Sequence, residues 1–294
     1  MNRRSFLHLS ASTAAALAVT RLGADTTQKR PLKKGIMWGT VGVKGSTLEK
    51  MQAIKAAGYD GVEMMGGGDQ EEIANALAAT GLVCGSVCCH THWAKPLSDP
   101  NPEVRKVGVE GLKQSLRDAK RYGAPSVLLV PAVVNATVSY DDAWTRSVAE
   151  IKKVIPLAEE LGVKISIENV WNNFLLSPLE AARYVDEFQS PAVKWHFDVG
   201  NVVVYGWPEQ WVRVLGPRLQ TLHIKEFSRT KADKQGRWAG FDVEFLKGDN
   251  NWPAVMKALD DTKFSGWAIA EQPGADSPEG LQKLSREMDE IFAK

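Results

Sequence analysis

The sequence predicts an α/β fold, a parallel (β/α)8 TIM barrel built by a single domain after an N-terminal export signal. Two observations support this prediction. From residue 33 onward, eight short apolar runs alternate with longer amphipathic runs, which favours a parallel sheet closed into a barrel. The chain has 294 residues, and a barrel of this kind takes roughly 250.

The first element is the leader. The pair Arg3-Arg4 precedes an apolar, Ala/Ser/Thr-rich run that ends near Val19, which is typical of a twin-arginine export signal. The run is too short for a membrane span, so we expect an exported, periplasmic protein with no stable membrane association after signal removal. The predicted domains are residues 1–24 for the signal, 25–32 for a linker and 33–294 for the catalytic barrel.

The barrel elements follow in order. The predicted strands are Gly35–Trp38, Gly61–Met65, Val83–Cys89, Ser126–Val130, Lys164–Glu168, Val193–Asp198, Thr221–Lys225 and Trp267–Glu271. The predicted helices are Thr47–Ala57, Gln70–Ala79, Glu103–Tyr122, Tyr140–Leu161, Pro178–Phe188, Pro208–Leu215, Trp252–Asp260 and Pro278–Phe292. Several helix–strand joints carry a glycine where a helix should end, as at Gly81 and Gly123.

The alternative architecture is a doubly wound open sheet, which normally has a glycine-rich phosphate loop after its first strand. Gly39, Gly42 and Gly45 lie there, but their spacing does not match the dinucleotide-binding fingerprint. One long connection, Phe227–Asn250, follows the seventh strand. Loops of that length are usually functional or mobile, so we predict a lid or a wall of the substrate site.

Composition narrows the function classes. Lys and Arg number 36 and Asp and Glu 35, and this net charge of +1 argues against a nucleic-acid binder, which would normally carry a basic surface. The three cysteines, Cys84, Cys88 and Cys89, all lie in the third predicted strand. Because the number of cysteines is odd and all three lie in one strand, they give no disulfide framework, and we predict buried free thiols.

Metal-ligand side chains end four consecutive predicted strands: Glu168, Asp198, His223 and Glu271. Barrel enzymes build their active sites at the carboxyl ends of the strands. Three carboxylates and one imidazole brought together there form a site for a divalent cation. The alternative is a ring of salt-bridged carboxylates at the barrel mouth, which would crowd negative charge at a high cost without a cation.

These motifs resemble those of the xylose isomerase-like barrel family of sugar isomerases and epimerases. The matching segments are Ile167-Glu168-Asn169, Phe197-Asp198-Val199-Gly200-Asn201, Leu222-His223-Ile224-Lys225-Glu226 and Ala270-Glu271. The resemblance covers the chain from about residue 33. The ketose 3-epimerase branch of this family holds Mn²⁺ or a similar ion with Glu, Asp, His and Glu from the same strands.

The resemblance implies a chemistry. An oxygen-rich set suits Mn²⁺, with Mg²⁺, Co²⁺ or Zn²⁺ as alternatives. The ion would hold a carbonyl and the neighbouring hydroxyl of a keto-sugar and stabilise the cis-enediolate that forms after proton removal. Glu168 and Glu271 are the predicted catalytic pair, one removing the proton and the other returning it to the opposite face or to the adjacent carbon.

Further residues are predicted to bind substrate. Lys225 lies two residues after His223, so strand alternation points both side chains the same way. The resemblance adds Arg229, six residues after His223, and Glu63 of the second strand as a substrate contact or a residue behind the metal ligands. The remaining candidates are His90, His92, Asn201 and Trp38, with Trp93, Trp171 and Trp207 as further rings that could stack on a sugar. His196 also points inward and is interpreted as a packed core histidine.

Two positions depart from the 3-epimerase pattern. Asn201 stands where that branch often has His, and Phe174 where it often has Glu. Both differences remove polar substrate contacts and argue against a strict hexulose 3-epimerase. The Asp-Val-Gly-Asn segment occurs in relatives that act on sugar phosphates, although export disfavours a phosphorylated substrate.

We therefore predict a metal-dependent sugar isomerase or epimerase acting on a small carbohydrate. The main alternative is a lyase or dehydratase that completes the same proton abstraction by β-elimination on a keto-sugar or 3-keto-glycoside. The abasic-site endonuclease branch needs more histidines and a basic groove, and a non-catalytic sugar-binding module would not need the intact quartet. Loops after strands one, six and seven are candidates for a homo-oligomer contact.

Overall fold

A computed structural model describes residues 30–294 and confirms the predicted barrel. Eight parallel strands pair in chain order, and β8 closes the barrel by pairing with β1. The strands are β1 Leu32–Met37, β2 Gly61–Met65, β3 Val83–Cys88, β4 Ser126–Leu129, β5 Lys164–Glu168, β6 Val193–Asp198, β7 Leu219–Ile224 and β8 Gly266–Ala270. Because all strands run the same way, their carboxyl ends lie at one mouth of the barrel.

Helices surround the barrel between the strands. They are α1 Thr47–Ala56, α2 Gln70–Thr80, α3 Pro102–Tyr122, α4 Tyr140–Lys152, α5 Ile155–Leu161, α6 Pro178–Asp186, α7 Val199–Val203, α8 Pro208–Leu215, α9 Arg229–Gln235, α10 Trp252–Asp261 and α11 Pro278–Phe292. Three 3₁₀ turns lie at Trp38–Thr40, Gly216–Arg218 and Arg237–Phe241. Local sequence sets the ends: Ser46 and Glu49 form a capping box on α1, and Gly123 ends α3 in the left-handed conformation.

Some predicted bounds were wrong. The single helix Tyr140–Leu161 is two helices, because Pro156 in the first turn of α5 has no N–H and its ring obstructs a continuous helix. β1 begins at Leu32 rather than Gly35, and Trp38 lies in the following 3₁₀ turn. The short helices α7 and α9 were not predicted, because each lies in a loop whose sequence is too short for a clear helical period.

The amino-terminal end of the barrel is filled by the Trp267 indole. Trp267 belongs to β8, yet its ring crosses the interior to β2 and β3. A Cβ placed on Gly61 would lie 2.5 Å from the Trp267 ring, and one placed on Gly85 would lie 2.7 Å from it. The indole therefore fits only because these strands carry glycine at the contact, and it closes the barrel opposite the strand carboxyl ends.

The long connection after β7 is a closed, packed segment rather than a free loop. Its two ends meet where the Asp249 N–H donates to the Phe227 carbonyl at 2.8 Å. The buried Glu226 carboxylate accepts from the Leu246 N–H at 2.8 Å and from the Trp252 indole N–H at 2.8 Å. We call the stretch from Phe227 to Asn250 the β7 segment.

Two other predictions concern the chain at large. Cys84, Cys88 and Cys89 are buried and free, as predicted. Among residues 30–294, no helix is both long enough and apolar enough to cross a membrane. The predicted export signal, residues 1–24, lies outside the described residues.

Candidate metal centre and cavity

Glu168, Asp198, His223 and Glu271 meet at the carboxyl ends of β5, β6, β7 and β8. Each offers one ligand-type atom, and the four atoms lie within 4.8 Å of one another. The Nδ1 atom of His223 is 2.9 Å from Glu271 Oε2, 3.4 Å from Glu168 Oε1 and 3.8 Å from Asp198 Oδ2. The structure thus brings together the four residues that the sequence pattern selected.

The opposite nitrogen of His223 is held by Glu63. His223 Nε2 lies 2.8 Å from Glu63 Oε2, and both side chains are fully buried. When Nε2 carries the proton and donates to this carboxylate, Nδ1 presents its lone pair to the other three ligands. A carboxylate behind a histidine commonly fixes the ring and its tautomer in metal sites.

Lys225 and Asn201 complete the polar network. The Lys225 ammonium lies 2.8 Å from Asp198 Oδ2 and 2.6 Å from Glu271 Oε2. Asn201 Oδ1 accepts from the Trp171 indole N–H at 2.7 Å and from Lys225 at 3.3 Å. Asn201 therefore positions Lys225 and Trp171 instead of offering a free amide to the cavity.

Burial and nearby charges shift the pKa values of Glu168 and Glu271 in opposite directions. Burial raises the pKa of Glu168 to about 7, although a hydrogen bond with His223 opposes the change. Burial also raises the pKa of Glu271, but the positive charges of Lys225 and His223 outweigh it and hold that pKa well below its usual range. Without an ion, these shifts favour the ionised form of Glu271 and a partly protonated Glu168 near neutral pH.

The donor set fits a divalent cation. Within the described residues, Asp198 Oδ2, His223 Nδ1 and Glu271 Oε2 are buried atoms without a well-directed hydrogen bond, although ion-pair distances join them to their neighbours. Buried polar atoms left in this way are costly unless something else pairs with them. A cation placed among them would use these free acceptor positions, with Glu168 as the fourth ligand.

An inner cavity of about 160 Å³ opens onto three residues of the quartet, Glu168, His223 and Glu271. His92 lines it, and the His92 Nδ1 accepts from the Val130 N–H at 3.2 Å, so the proton of the neutral ring is on Nε2. Burial lowers the pKa of His92 to about 4, which keeps the ring neutral at physiological pH. His92 is therefore a hydrogen-bond donor in the cavity wall, and Cys88 and Trp93 lie beside it.

Several predicted contacts lie elsewhere. The inner cavity continues outward past Trp171 and Glu271. The described residues that line these two spaces do not include Trp38, His90, Arg229 or Glu63. His90 is exposed, and Trp38 packs against the core under Lys50. The Arg229 guanidinium donates to the Val203 carbonyl at 2.9 Å and stacks on Trp207, so it ties the β7 segment to the loop after α7.

Two interior positions have packing roles. His196 is fully buried edge-on against His223, with ring centroids 4.1 Å apart, and neither of its nitrogens has a partner among residues 30–294. Phe174 points away from the cavity into a cluster with Tyr140 and Tyr184. Residue 174, where the 3-epimerase branch often has Glu, is therefore a core side chain here and offers no polar group to the cavity.

Sequence reasoning missed three residues of the site. Trp238 and Phe241, in the β7 segment, line the outer part of the cavity. The Asn169 side chain joins β5 to β6, because its amide donates to the Asp198 carbonyl at 2.9 Å and its oxygen accepts from the Asp198 N–H at 3.1 Å. Asn169 directly follows a metal-ligand candidate, which was the available signal, whereas nothing local marked the two aromatic residues.

A closed parallel barrel with carboxylates and an imidazole at the strand carboxyl ends defines a class: barrel proteins with a candidate metal centre at the mouth. The chain belongs to the xylose isomerase-like TIM barrel family, whose model matches residues 51–291.

One relative in sequence is the L-ribulose-5-phosphate 3-epimerase UlaE of Escherichia coli O1:K1. It is 23% identical over 261 residues, which cover 84% of this chain and 89% of UlaE. Two solved structures share the fold at lower identity. A D-psicose 3-epimerase is 16% identical with a TM-score of 0.72 over 88% of this chain and 97% of its own. The 3-keto-D-glucoside 4-epimerase YcjR of E. coli is 17% identical with a TM-score of 0.73 over 88% and 98%.

Proposed function

We propose that this protein is a metal-dependent epimerase or isomerase of an unphosphorylated keto-sugar. The cluster of Glu168, Asp198, His223 and Glu271 beside one small cavity, which all of them but Asp198 line, is the observation that carries the proposal. Its relative UlaE and the two structural neighbours are epimerases by name, which supports the reaction class. We also propose that the protein is exported, as its leader predicts.

The four residues would hold one divalent ion, with Mn²⁺ favoured by the oxygen-rich donor set. When bound, such an ion polarises the substrate carbonyl and stabilises the negative charge that develops next to it. Glu63 contributes by holding the His223 ring with Nδ1 toward the ion site.

The two glutamates divide the proton transfer. One of them accepts the proton from the carbon next to the carbonyl, and the other returns a proton to the resulting enediolate. The roles reverse in the back reaction, since epimerisation runs both ways.

The charge of the cavity favours a neutral sugar. Among the described residues lining the inner cavity and its continuation, Lys225 is the one lysine or arginine, and it already pairs with Asp198 and Glu271. A phosphate group normally needs unpaired cationic or backbone N–H donors. A sugar without a phosphate group does not need such donors, so it fits this cavity better.

β-Elimination is the second candidate. The inner cavity continues past Trp171 and Glu271 into a larger outer space. That space leaves room for a substituent on the carbon next to the one that loses its proton. After one of the two glutamates has removed the proton, the substituent would leave with its bonding electrons, and the protein would be a lyase on a 3-keto-glycoside.

Solvent deuterium exchange tests the proposal. The Mn²⁺-loaded protein is incubated in D₂O with free ketoses and 3-keto-glycosides and followed by NMR. We expect exchange at the carbon beside the carbonyl together with a new epimer or isomer. Glu168→Gln and Glu271→Gln should each reduce the rate by about 10²-fold or more, because each removes one proton carrier.

The matched control is Glu290→Gln, which makes the same chemical change at an exposed site and should leave the rate unchanged. Exchange with release of the aglycone would assign the lyase reaction instead. A folded, metal-loaded protein that exchanges no proton with any compound of the panel would contradict both.

A further inference from the structure

The cavity has a second compartment that the proton-transfer chemistry does not use. This outer cavity has a volume of about 450 Å³ and shares Trp171, Lys225 and Glu271 with the inner one. Two more aromatic rings, Trp238 and Phe241, form its wall. A substrate that reaches the quartet therefore has this space directly beside it.

A hydrogen bond orients Trp171 at the junction. Its indole N–H is fixed by Asn201, and the next residues of its loop, Asn173 and Leu175, adopt left-handed backbone conformations with φ of 55° and 56°. Such conformations are costly for residues other than glycine and concentrate at functional sites. The ring nevertheless remains 41% exposed, so the fold fixes an indole without covering it.

Trp238 faces Trp171 from the β7 segment. The two indole centroids lie 4.5 Å apart at an angle of 63°, and the Trp238 ring is 57% exposed. The turn that carries Trp238 is anchored because the Ser228 N–H donates to the Gly240 carbonyl at 2.8 Å. Gly240 must be glycine there, since a Cβ would lie 2.4 Å from the Phe227 ring.

Polar groups border this aromatic wall. Thr40 and the exposed Asp276 carboxylate lie on the side of the outer cavity formed by the loops after β1 and β8, and the Lys225 ammonium lies between the two compartments. A sugar ring has an apolar face of C–H groups and an edge of hydroxyls, so it matches a site with aromatic surface and hydrogen-bonding groups at its border. A purely aromatic ligand would not use the carboxylate.

We propose that the outer cavity is a subsite for a second sugar ring, so that the substrate is a keto-disaccharide or similar keto-glycoside and not a free ketose. The ring that carries the keto group lies in the inner cavity, and the second ring stacks on the Trp171–Trp238 wall. The inference rests on the proposed function and specifies its substrate class.

Calorimetric binding to the Mn²⁺-loaded protein tests the subsite separately from catalysis. The probes are methyl 3-keto-glucopyranoside, phenyl 3-keto-glucopyranoside and 3-keto-cellobiose, which share the keto ring and differ in the second group. We expect the wild type to bind 3-keto-cellobiose about 10-fold more tightly than the methyl compound, the scale of one aromatic stacking contact. Trp238→Ala should abolish that difference and leave methyl-compound binding within about twofold.

Two further variants serve as controls. Trp238→Phe keeps an aromatic face and should retain part of the preference for the disaccharide. Leu179→Ala removes an apolar side chain of α6, 72% exposed, that lies outside both compartments and should retain all of it.

The outcomes are distinct. Equal binding of the methyl compound and the disaccharide by the wild type would overturn the subsite while leaving the proposed function intact. A gain for the phenyl compound alone would overturn it in favour of an aryl substituent. Failure of all three keto compounds to bind would overturn the subsite, and the exchange assay with free ketoses would then decide the proposed function separately.

Discussion

At the scale of single residues, His223 connects the two halves of the candidate metal site. One ring nitrogen faces Glu168, Asp198 and Glu271, and the other contacts Glu63 at 2.8 Å. The metal-facing nitrogen is available to an ion only if the proton stays on the Glu63 side. Glu63 therefore lies behind the imidazole of a proposed metal ligand, which is one of the two roles predicted from its position in the second strand.

Glu63→Gln is the test of this arrangement. Glutamine preserves the shape and the hydrogen bond but removes the charge, so His223 becomes a weaker ligand. We expect the dissociation constant for Mn²⁺ to rise by about 10-fold or more, as is typical when such a supporting carboxylate is lost. Titration calorimetry on the metal-stripped protein gives the value directly.

Glu150→Gln is the matched control. Glu150 is also buried and paired, at 3.0 Å from Arg105, but it lies on α4 far from the cavity. Its variant should bind Mn²⁺ as the wild type does. An unchanged Mn²⁺ affinity in Glu63→Gln would show that Glu63 only fills space behind the imidazole.

The residue types and strand ends were enough to find the quartet, because a carboxylate that ends an apolar run stands out in a single sequence. The sequence did not decide between the two predicted roles of Glu63. The pairing of β2 with β3 shifts register between Val62 and Glu63, and a β-bulge of this kind re-aims a side chain without leaving a sequence signature. Trp38 and His90 were misplaced for a related reason: a residue after a strand can face either side of the loop.

At the scale of elements, the β7 segment is closed by Glu226. That carboxylate accepts N–H groups from Leu246, Asn250 and Trp252, so one buried side chain ties the segment's return path to the end of β7. The return path comes close enough only because residue 248 is glycine. A Cβ at Gly248 would lie 2.5 Å from the Phe227 carbonyl and 2.6 Å from Glu226 Oε1.

Gly248→Ala should therefore loosen the segment. The added methyl group forces a backbone carbonyl and a buried carboxylate apart, a change that typically costs about 1–3 kcal/mol. We expect faster amide hydrogen exchange across residues 227–250, with the barrel strands still protected. Gly39→Ala is the control, because a Cβ there meets nothing nearer than 3.6 Å and its backbone is not left-handed. Equal exchange in both variants would contradict a strained contact.

Length alone predicted that this segment would be a wall or a lid, but not which of its residues face the cavity. Helix α9 and the 3₁₀ turn that follows it are short, and their placement depends on the Glu226 contacts and on Gly240, which involve residues distant in sequence. Trp238 and Phe241 were missed for that reason. By contrast, the eight barrel strands were predicted well, since a repeated alternation of strands and helices gives many independent signals of one architecture.

At the scale of the whole molecule, an ion held by four strands should stabilise the fold. The ligands come from β5, β6, β7 and the end of β8, so unfolding any of these strands releases the ion. At a free ion concentration 100 times the dissociation constant, binding adds about 2.7 kcal/mol, which for a domain of this size raises the melting temperature by about 5–10 °C.

The stabilisation of the fold by the bound ion should increase as the pH rises. Burial raises the pKa of Glu168 from 4.5 to about 7, so Glu168 favours the metal-free fold most below pH 4.5, and this contribution is lost as the pH rises through 7. Below pH 7 an ion must also displace the Glu168 proton, which weakens binding by up to about tenfold per pH unit. We expect a larger Mn²⁺-induced melting shift at pH 8 than at pH 6, measured by calorimetry. An equal or reversed order would contradict the assignment of Glu168 as a ligand.

The Trp267 indole decides from which end the barrel interior can be reached. That ring fills the amino-terminal end between Gly61 and Gly85, whereas Trp171 and Trp238 border the cavity at the other end. Under the proposed function, substrate and product would therefore share the route past these two indoles, and the next substrate would enter after the product has left. The rate at which product leaves by this route would then limit turnover, so the two indoles would affect the rate of the reaction as well as recognition.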